Sequence, residues 1–171
     1  LTARVAESLT FNRRARVGVM LRESLDPDAR FAAMTIERPL AGSGGRFRSL
    51  YREAAAASAG SKSGPASDTL TGWTRIEREG DQISFWSSLD GKSWGEPIHQ
   101  LTMLNLNDPL LVGIAAAGSD IGIPEVTAFE PLRVRISDLE VLPLSPPFVR
   151  GDSNADGATD ISDAVAILNH L

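Results

Sequence analysis

Residues 73–86, WTRIEREGDQISFW, constrain the fold more than any other stretch of the chain. Two runs with period-two alternation flank Gly80-Asp81, and a two-residue turn whose glycine accepts positive φ specifies an antiparallel hairpin. A second turn follows at once in residues 88–94, SLDGKSW, centred on Asp90-Gly91. A hairpin alone is marginal in water, so these strands need further strands to pack against.

The sequence supplies them. From Leu1 to about Leu142, short β-rich runs alternate with turn signals and helical periodicity is scarce, the pattern of an all-β antiparallel sandwich or barrel. The expected strands are 2–8, 15–22, 30–37, 46–53, 73–78, 82–87, 98–103, 110–116 and 132–141, with an irregularity near Asp138. Val17, Val19 and Leu21 alternate with Arg16, Gly18 and Met20, which assigns opposite faces of one strand. Residues 51–60, YREAAAASAG, have high helix propensity. The strand through Phe47, Leu50 and Tyr51 is nonetheless expected to run into a loop. The Ser/Gly/Ala-rich stretch 57–71, with Gly60, Gly64 and Pro65, reads as an exposed, mobile connection. Residues 143–149, PLSPPFV, read as a stiff Pro-rich linker that closes the sandwich module of residues 1–142.

Composition excludes several chemistries. The 171 residues, 42% of them hydrophobic, suffice for one core with a small appendage. Cysteine is absent, which removes disulfides, thiolate nucleophiles and Cys-based zinc sites. The two histidines, His99 and His170, leave little from which to build a Ser-His-Asp triad or a His-rich metal site. Net charge is -5, and Lys and Arg are scattered along the sequence, so no nucleic-acid partner is expected. No apolar run approaches the ~20 residues that span a bilayer, so no membrane insertion is expected either.

Three blocks carry a resemblance: residues 15–34, ARVGVMLRESLDPDARFAAM; residues 73–94, WTRIEREGDQISFWSSLDGKSW; and residues 110–118, LLVGIAAAG. Together they resemble bacterial extracellular modules of the concanavalin-like, laminin-G-like type. The resemblance spans most of residues 1–141. It implies a jelly-roll β-sandwich, an extracellular or cell-surface location, and a polysaccharide or surface glycan as ligand. It also implies strands upstream of the segment at Thr2, so that the chain begins inside the domain.

Aromatic side chains are the natural sugar platform, because a flat ring matches the C-H face of a pyranose. Trp73, Trp86 and Trp94 are the candidate ligand-binding residues, with Tyr51 beside them. In a chain with 6% aromatics, large apolar faces are needed for packing, so Trp73 and Trp86 are expected in the core, whereas Trp94, just past a turn, is the better exposed candidate. Residues 88–94 are similar to the aspartate box of sialidases but one residue shorter. That motif is structural, a turn that locks its tryptophan onto a hairpin. Glu77, Glu79 and Asp81 superficially match the acidic strand of sandwich-fold glycosidases, which need two carboxylates facing across a cleft. Gly80-Asp81 is a turn, however, which takes Asp81 off the strand face and favours a solvated edge over catalysis.

The C-terminal segment holds a different signal. Asp152, Asn154, Asp156, Ala158, Asp160 and Asp163 occupy positions 1, 3, 5, 7, 9 and 12 of a twelve-residue loop. Ala158 offers a backbone carbonyl, and Gly157 sits at position 6, where the sharp turn falls. An oxygen-only set of this kind suits Ca²⁺. Beyond it, residues 161–171 show helical spacing through Ile161, Ala164 or Val165, Leu168 and Leu171. An Asp-rich helix cap would explain Asp160 and Asp163, but not the metal spacing of Asp152, Asn154 and Gly157. A loop with one exiting helix resembles a single repeat of a dockerin, which implies a cohesin-like partner. Arg150-Gly151-Asp152-Ser153 also spells a cell-adhesion tetrapeptide, yet integrin recognition needs the carboxylate that the loop assigns to calcium.

Three function classes follow. The first is a non-catalytic extracellular module that binds glycan or another surface ligand and ends in a calcium-stabilised dockerin-like repeat at residues 150–171. The second is a fragment of a polysaccharide-degrading glycoside hydrolase. The third is a structural or adhesive spacer of a large surface protein.

Overall fold

The computed structural model describes residues 1–9, 15–39, 44–106, 110–117 and 133–141. The chain divides into two units, 1–141 and 142–171. The second unit, with the linker, the calcium loop and the expected C-terminal helix, lies outside the described residues.

The first unit is all-β. Its strands are β1 (Thr2–Leu9), β2 (Arg16–Arg22), β3 (Phe31–Glu37), β4 (Gly45–Arg52), β5 (Gly60–Ser67), β6 (Gly72–Glu79), β7 (Gln82–Ser88), β8 (His99–Thr102), β9 (Leu111–Ala117) and β10 (Arg133–Glu140). They form two five-stranded sheets, ordered β10-β1-β6-β7-β8 and β5-β4-β3-β2-β9, and every pairing is antiparallel. This unit is a β-sandwich, and no helix occurs among its described residues.

Alternation along each strand decides which side chains enter the core. Val17 and Val19 of β2, Met34 and Ile36 of β3, and Phe47 of β4 meet Ala3 and Val5 of β1, Ile76 of β6, and Ile83 and Phe85 of β7. Withdrawing each large apolar side chain from water contributes about 1.5–3 kcal/mol. Burial on one face fixes the register, because a one-residue slip would turn the whole set outward. The hairpin behaves as its sequence requires: β6 and β7 pair from Trp73↔Ser88 to Glu79↔Gln82 around Gly80, whose φ is 59°. The expected irregularity in β10 falls at Asp138, with φ 51°, where the register against β1 shifts.

Residues 57–71 depart from expectation. They are not a connection throughout, because residues 60–67 form β5, the edge strand paired to β4. The composition hides this strand, since Gly, Ser, Ala and Pro carry almost no β propensity. Its small residues answer to neighbours instead. A Cβ on Gly60 would lie 2.5 Å from the Tyr51 ring, and one on Gly64 2.5 Å from the end of Ile98. Lys62, Pro65 and a register shift opposite Arg46 and Arg48 also suit an edge that must not recruit further strands.

Candidate functional site: a tryptophan and arginine face on the first sheet

The turn after β7 builds the site. Ser88 Oγ accepts hydrogen bonds from the backbone N-H groups of Asp90 and Gly91, at 3.3 and 2.9 Å, and donates to Asp90 Oδ1 at 2.9 Å. Asp90 Oδ1 in turn accepts from the N-H groups of Lys92 and Ser93, both at 2.8 Å, and Oδ2 accepts from Ser93 Oγ at 3.0 Å. These donors favour the ionised carboxylate and hold its pKa far below the ordinary range, with the backbone bonds of Ser93 and Lys92 as the largest causes. Asp90 is thereby a structural anion, as the resemblance to the aspartate box implies.

The turn has two packing consequences. Gly91, at φ 74°, lies so close to Trp73 that a Cβ there would be 2.4 Å from the indole Cε2. Trp94 comes to rest against Arg75, whose guanidinium carbon is 5.0 Å from the Trp94 ring centroid and 5.8 Å from that of Trp86. Arg75 Nε also pairs with Glu77 Oε1 at 2.7 Å. Guanidinium-indole contacts of this kind are worth about 0.5–1 kcal/mol at exposed sites and hold the rings at fixed angles.

Register places these groups on one outward face. Trp73, Arg75 and Glu77 oppose Ser88, Trp86 and Ser84, while Thr74 and Ile76 point into the core. On the flanking strands Arg4 lies across from Trp73, and Gln100 donates to Ser84 Oγ at 3.0 Å. Trp73, Trp86 and Trp94 are all half-buried, and none belongs to the buried core cluster. Trp73 and Trp86, expected in the core, instead pack on the outside of the sheet, because they share the outward parity of Arg75. Arg75, the residue that gathers them, was overlooked in the sequence. Pairing around Gly80-Asp81 makes residue numbers sum to 161 across the hairpin, and that sum alone places Arg75 beside Trp86.

Other candidates are dispersed. Glu77 and Glu79 share one face of β6 and do not confront each other across a cleft. Asp81 belongs to the turn, where its carboxylate accepts from Asn105 N-H at 3.2 Å. Tyr51 is remote in register from the tryptophans: it lies on β4, its ring 4.9 Å from that of His99, which stacks on Phe85 at 5.6 Å. His99 Nδ1 is 3.3 Å from Ser49 Oγ. Ser49 is fully buried, so it cannot serve as a nucleophile. A hollow of about 360 Å³ lies beside Tyr51, Glu53 and Gly60 and is otherwise lined by Ala54, Ala57 and Ser58, with few polar groups converging on it. Among the described residues no cluster of His, Asp or Glu could hold a metal ion. Asp152, Asn154, Asp156, Ala158, Asp160 and Asp163 lie outside them.

No family model and no curated protein matches the chain. Among solved structures, the chain is similar to a functionally unknown protein from Saccharomyces cerevisiae, with a TM-score of 0.53 and 17% sequence identity over 67% of this chain. The match spans 57% of the yeast protein's length, and at that identity what the two share is the fold of the sandwich.

Proposed function

We propose that the chain is a non-catalytic extracellular module of the concanavalin-like, laminin-G-like jelly-roll kind, which binds glycan on the outer face of its first sheet and carries a calcium-stabilised terminal loop. The observation that supports it most is the stacking of Trp86 and Trp94 about the Arg75 guanidinium on a solvent-facing sheet. Half-buried indoles offer apolar ring faces to pyranose C-H groups, and Arg75, Glu77, Ser84 and Gln100 supply donors and acceptors for hydroxyls. Pre-anchored rings lose little side-chain entropy when a ligand settles on them, which is where rigid aromatic residues gain affinity.

For the terminal loop, the donor set itself supports calcium. Asp152, Asn154, Asp156, Asp160 and Asp163 with the Ala158 carbonyl are all oxygen ligands at metal spacing. Bound calcium would offset half the charge of the four aspartates, Asp152, Asp156, Asp160 and Asp163, that lie within twelve residues, and relieve their mutual repulsion. The dockerin-like reading of residues 150–171, with a cohesin-like partner, rests on the same spacing.

The glycan reading is tested by an oligosaccharide array followed by calorimetry on the best ligand. Trp94→Ala is expected to weaken binding by at least about tenfold, the usual scale for removing an aromatic anchor. An array without hits, or unchanged affinity in Trp94→Ala, would leave the spacer reading in its place.

A further inference from the structure

The outer face of the second sheet has a chemistry of its own. Arginines that look scattered in the sequence converge there, because on β2 and on β4 they are separated by even numbers of residues and so share the face turned away from the core. Across the sheet one row reads Ala117, Arg16, Glu37, Arg46, Ala66, and the next reads Ala115, Gly18, Thr35, Arg48, Ser63. At the other end Arg22, Phe31 and Arg52 align. Five arginines thus share a face with a single carboxylate, Glu37, in a chain whose net charge is -5.

The two ends differ. Arg22 and Arg52 are committed to the turn between β2 and β3: Arg22 Nε donates to Ser24 O at 2.6 Å and Arg52 Nη1 to Pro27 O at 2.5 Å, and Arg52 lies over the Phe31 ring at 5.4 Å. Asp26 and Asp28, exposed in that turn, offset the charge there. At the Arg16, Arg46 and Arg48 end, Glu37 is the one carboxylate among the described residues of β2, β3 and β4. Glu37 is nearly buried and is shared between Arg16 at 2.7 Å and Arg48 at 3.1 Å. Arg46 is exposed and has no ion-pair or hydrogen-bond partner among the described residues. Three guanidinium groups against one carboxylate leave two positive charges and many N-H donors unassigned. The side chains beside them are small: Ser63, Ala66, Ala115 and Ala117 raise no wall, and Thr35 is buried beneath.

We infer that the Arg16, Arg46 and Arg48 end of this face binds the carboxylate or sulfate groups of an acidic polysaccharide. A guanidinium fork matches both anions in bidentate geometry. A sheet face lined by small side chains suits an extended chain laid across strands better than a small anion, which needs enclosure. Single-stranded nucleic acid fits less well, because the aromatic at this face, Phe31, is covered by Arg52 and leaves no free ring for base stacking; duplex DNA is discriminated by the test. The inference does not rest on the tryptophan face, which lies on the other sheet.

The test is calorimetry of the whole chain at low ionic strength with polygalacturonate as the carboxylate probe, heparin as the sulfate probe, dextran as the neutral control and a duplex DNA. Binding to polygalacturonate or heparin that weakens with salt, is absent for dextran and falls about tenfold or more in Arg46→Glu is the expected result; which probe binds identifies the anion. Arg46→Gln should fall between, and Trp94→Ala should leave this binding unchanged. Arg46 holds no partner whose loss would unfold the sheet, and circular dichroism checks that the variants are folded. Absence of binding to both polyanions, equal affinity in Arg46→Glu, or equal affinity for the duplex would overturn the assignment.

Discussion

His99 occupies a place where a charged imidazole is unfavourable. It lies between the Tyr51 and Phe85 rings, with Ser49 Oγ on Nδ1 and Lys62 nearby, while Glu53 gives only partial compensation. Its pKa is lowered from the ordinary 6.5, first by burial and then by the Lys62 charge. The neutral ring is therefore the native form. As pH falls below about 6.5 the unfolded chain takes up the proton first. Stability should decline from there until the lowered native pKa is passed, and then level off. Denaturant midpoints measured between pH 8 and pH 4 are expected to show this decline in the wild type and a shallower one in His99→Phe. Parallel curves would mean that His99 titrates as if in water. At this scale the sequence was only partly legible. Trp73, Trp86 and Trp94 could be picked out as flat apolar side chains, but Arg75 becomes visible only when the hairpin register is used, and the convergence of Arg16, Arg46 and Arg48 needs the pairing of three strands.

Among the strands, legibility followed burial. β2, β3, β6 and β7 insert alternate large apolar side chains into the core, so their period-two pattern is strong and their limits were readable to within a residue or two. β5 inserts almost none. It is held by backbone pairing to β4 and by the fit of Gly60 under Tyr51 and Gly64 under Ile98, interactions that leave no hydrophobic period. Glycine has another use inside β2. A Cβ at Gly18 would lie 2.0 Å from the Met34 carbonyl oxygen, a backbone atom that no rotamer change can move aside. Gly113, in the neighbouring β9, has nothing within 4 Å of that position. Gly18→Ala is expected to cost about 3 kcal/mol or more by prising β2 from β3. Gly113→Ala should be neutral or stabilising by about 0.5–1 kcal/mol, because it lowers the entropy of the unfolded chain. Urea unfolding of the two variants checks the contrast, and similar midpoints would show that β2 can shift to admit the methyl group.

At the scale of the molecule, the proposed calcium loop and the sandwich fall in different units, 142–171 and 1–141, and the sandwich has its own buried core. On the proposed calcium reading, the terminal segment, with four aspartates inside twelve residues, would need a cation to relieve their mutual repulsion. Calcium removal should therefore act on one part of the chain. In titrations of the whole chain, calcium is expected to bind at one site with a dissociation constant of about 10⁻⁴ to 10⁻³ M, the range of extracellular modules. Asp156→Ala, which deletes the position-5 ligand, should abolish the binding heat. Because ligand binding to the native state adds RT ln(1 + [L]/Kd) of stability only to the unit that binds, calcium should sharpen hydrogen-exchange protection at residues 150–171 and leave the β2, β3, β6 and β7 amides unchanged. Protection that rises equally in the sandwich would show that the cation acts on the whole chain, and a silent titration would show that the twelve-residue spacing holds no calcium.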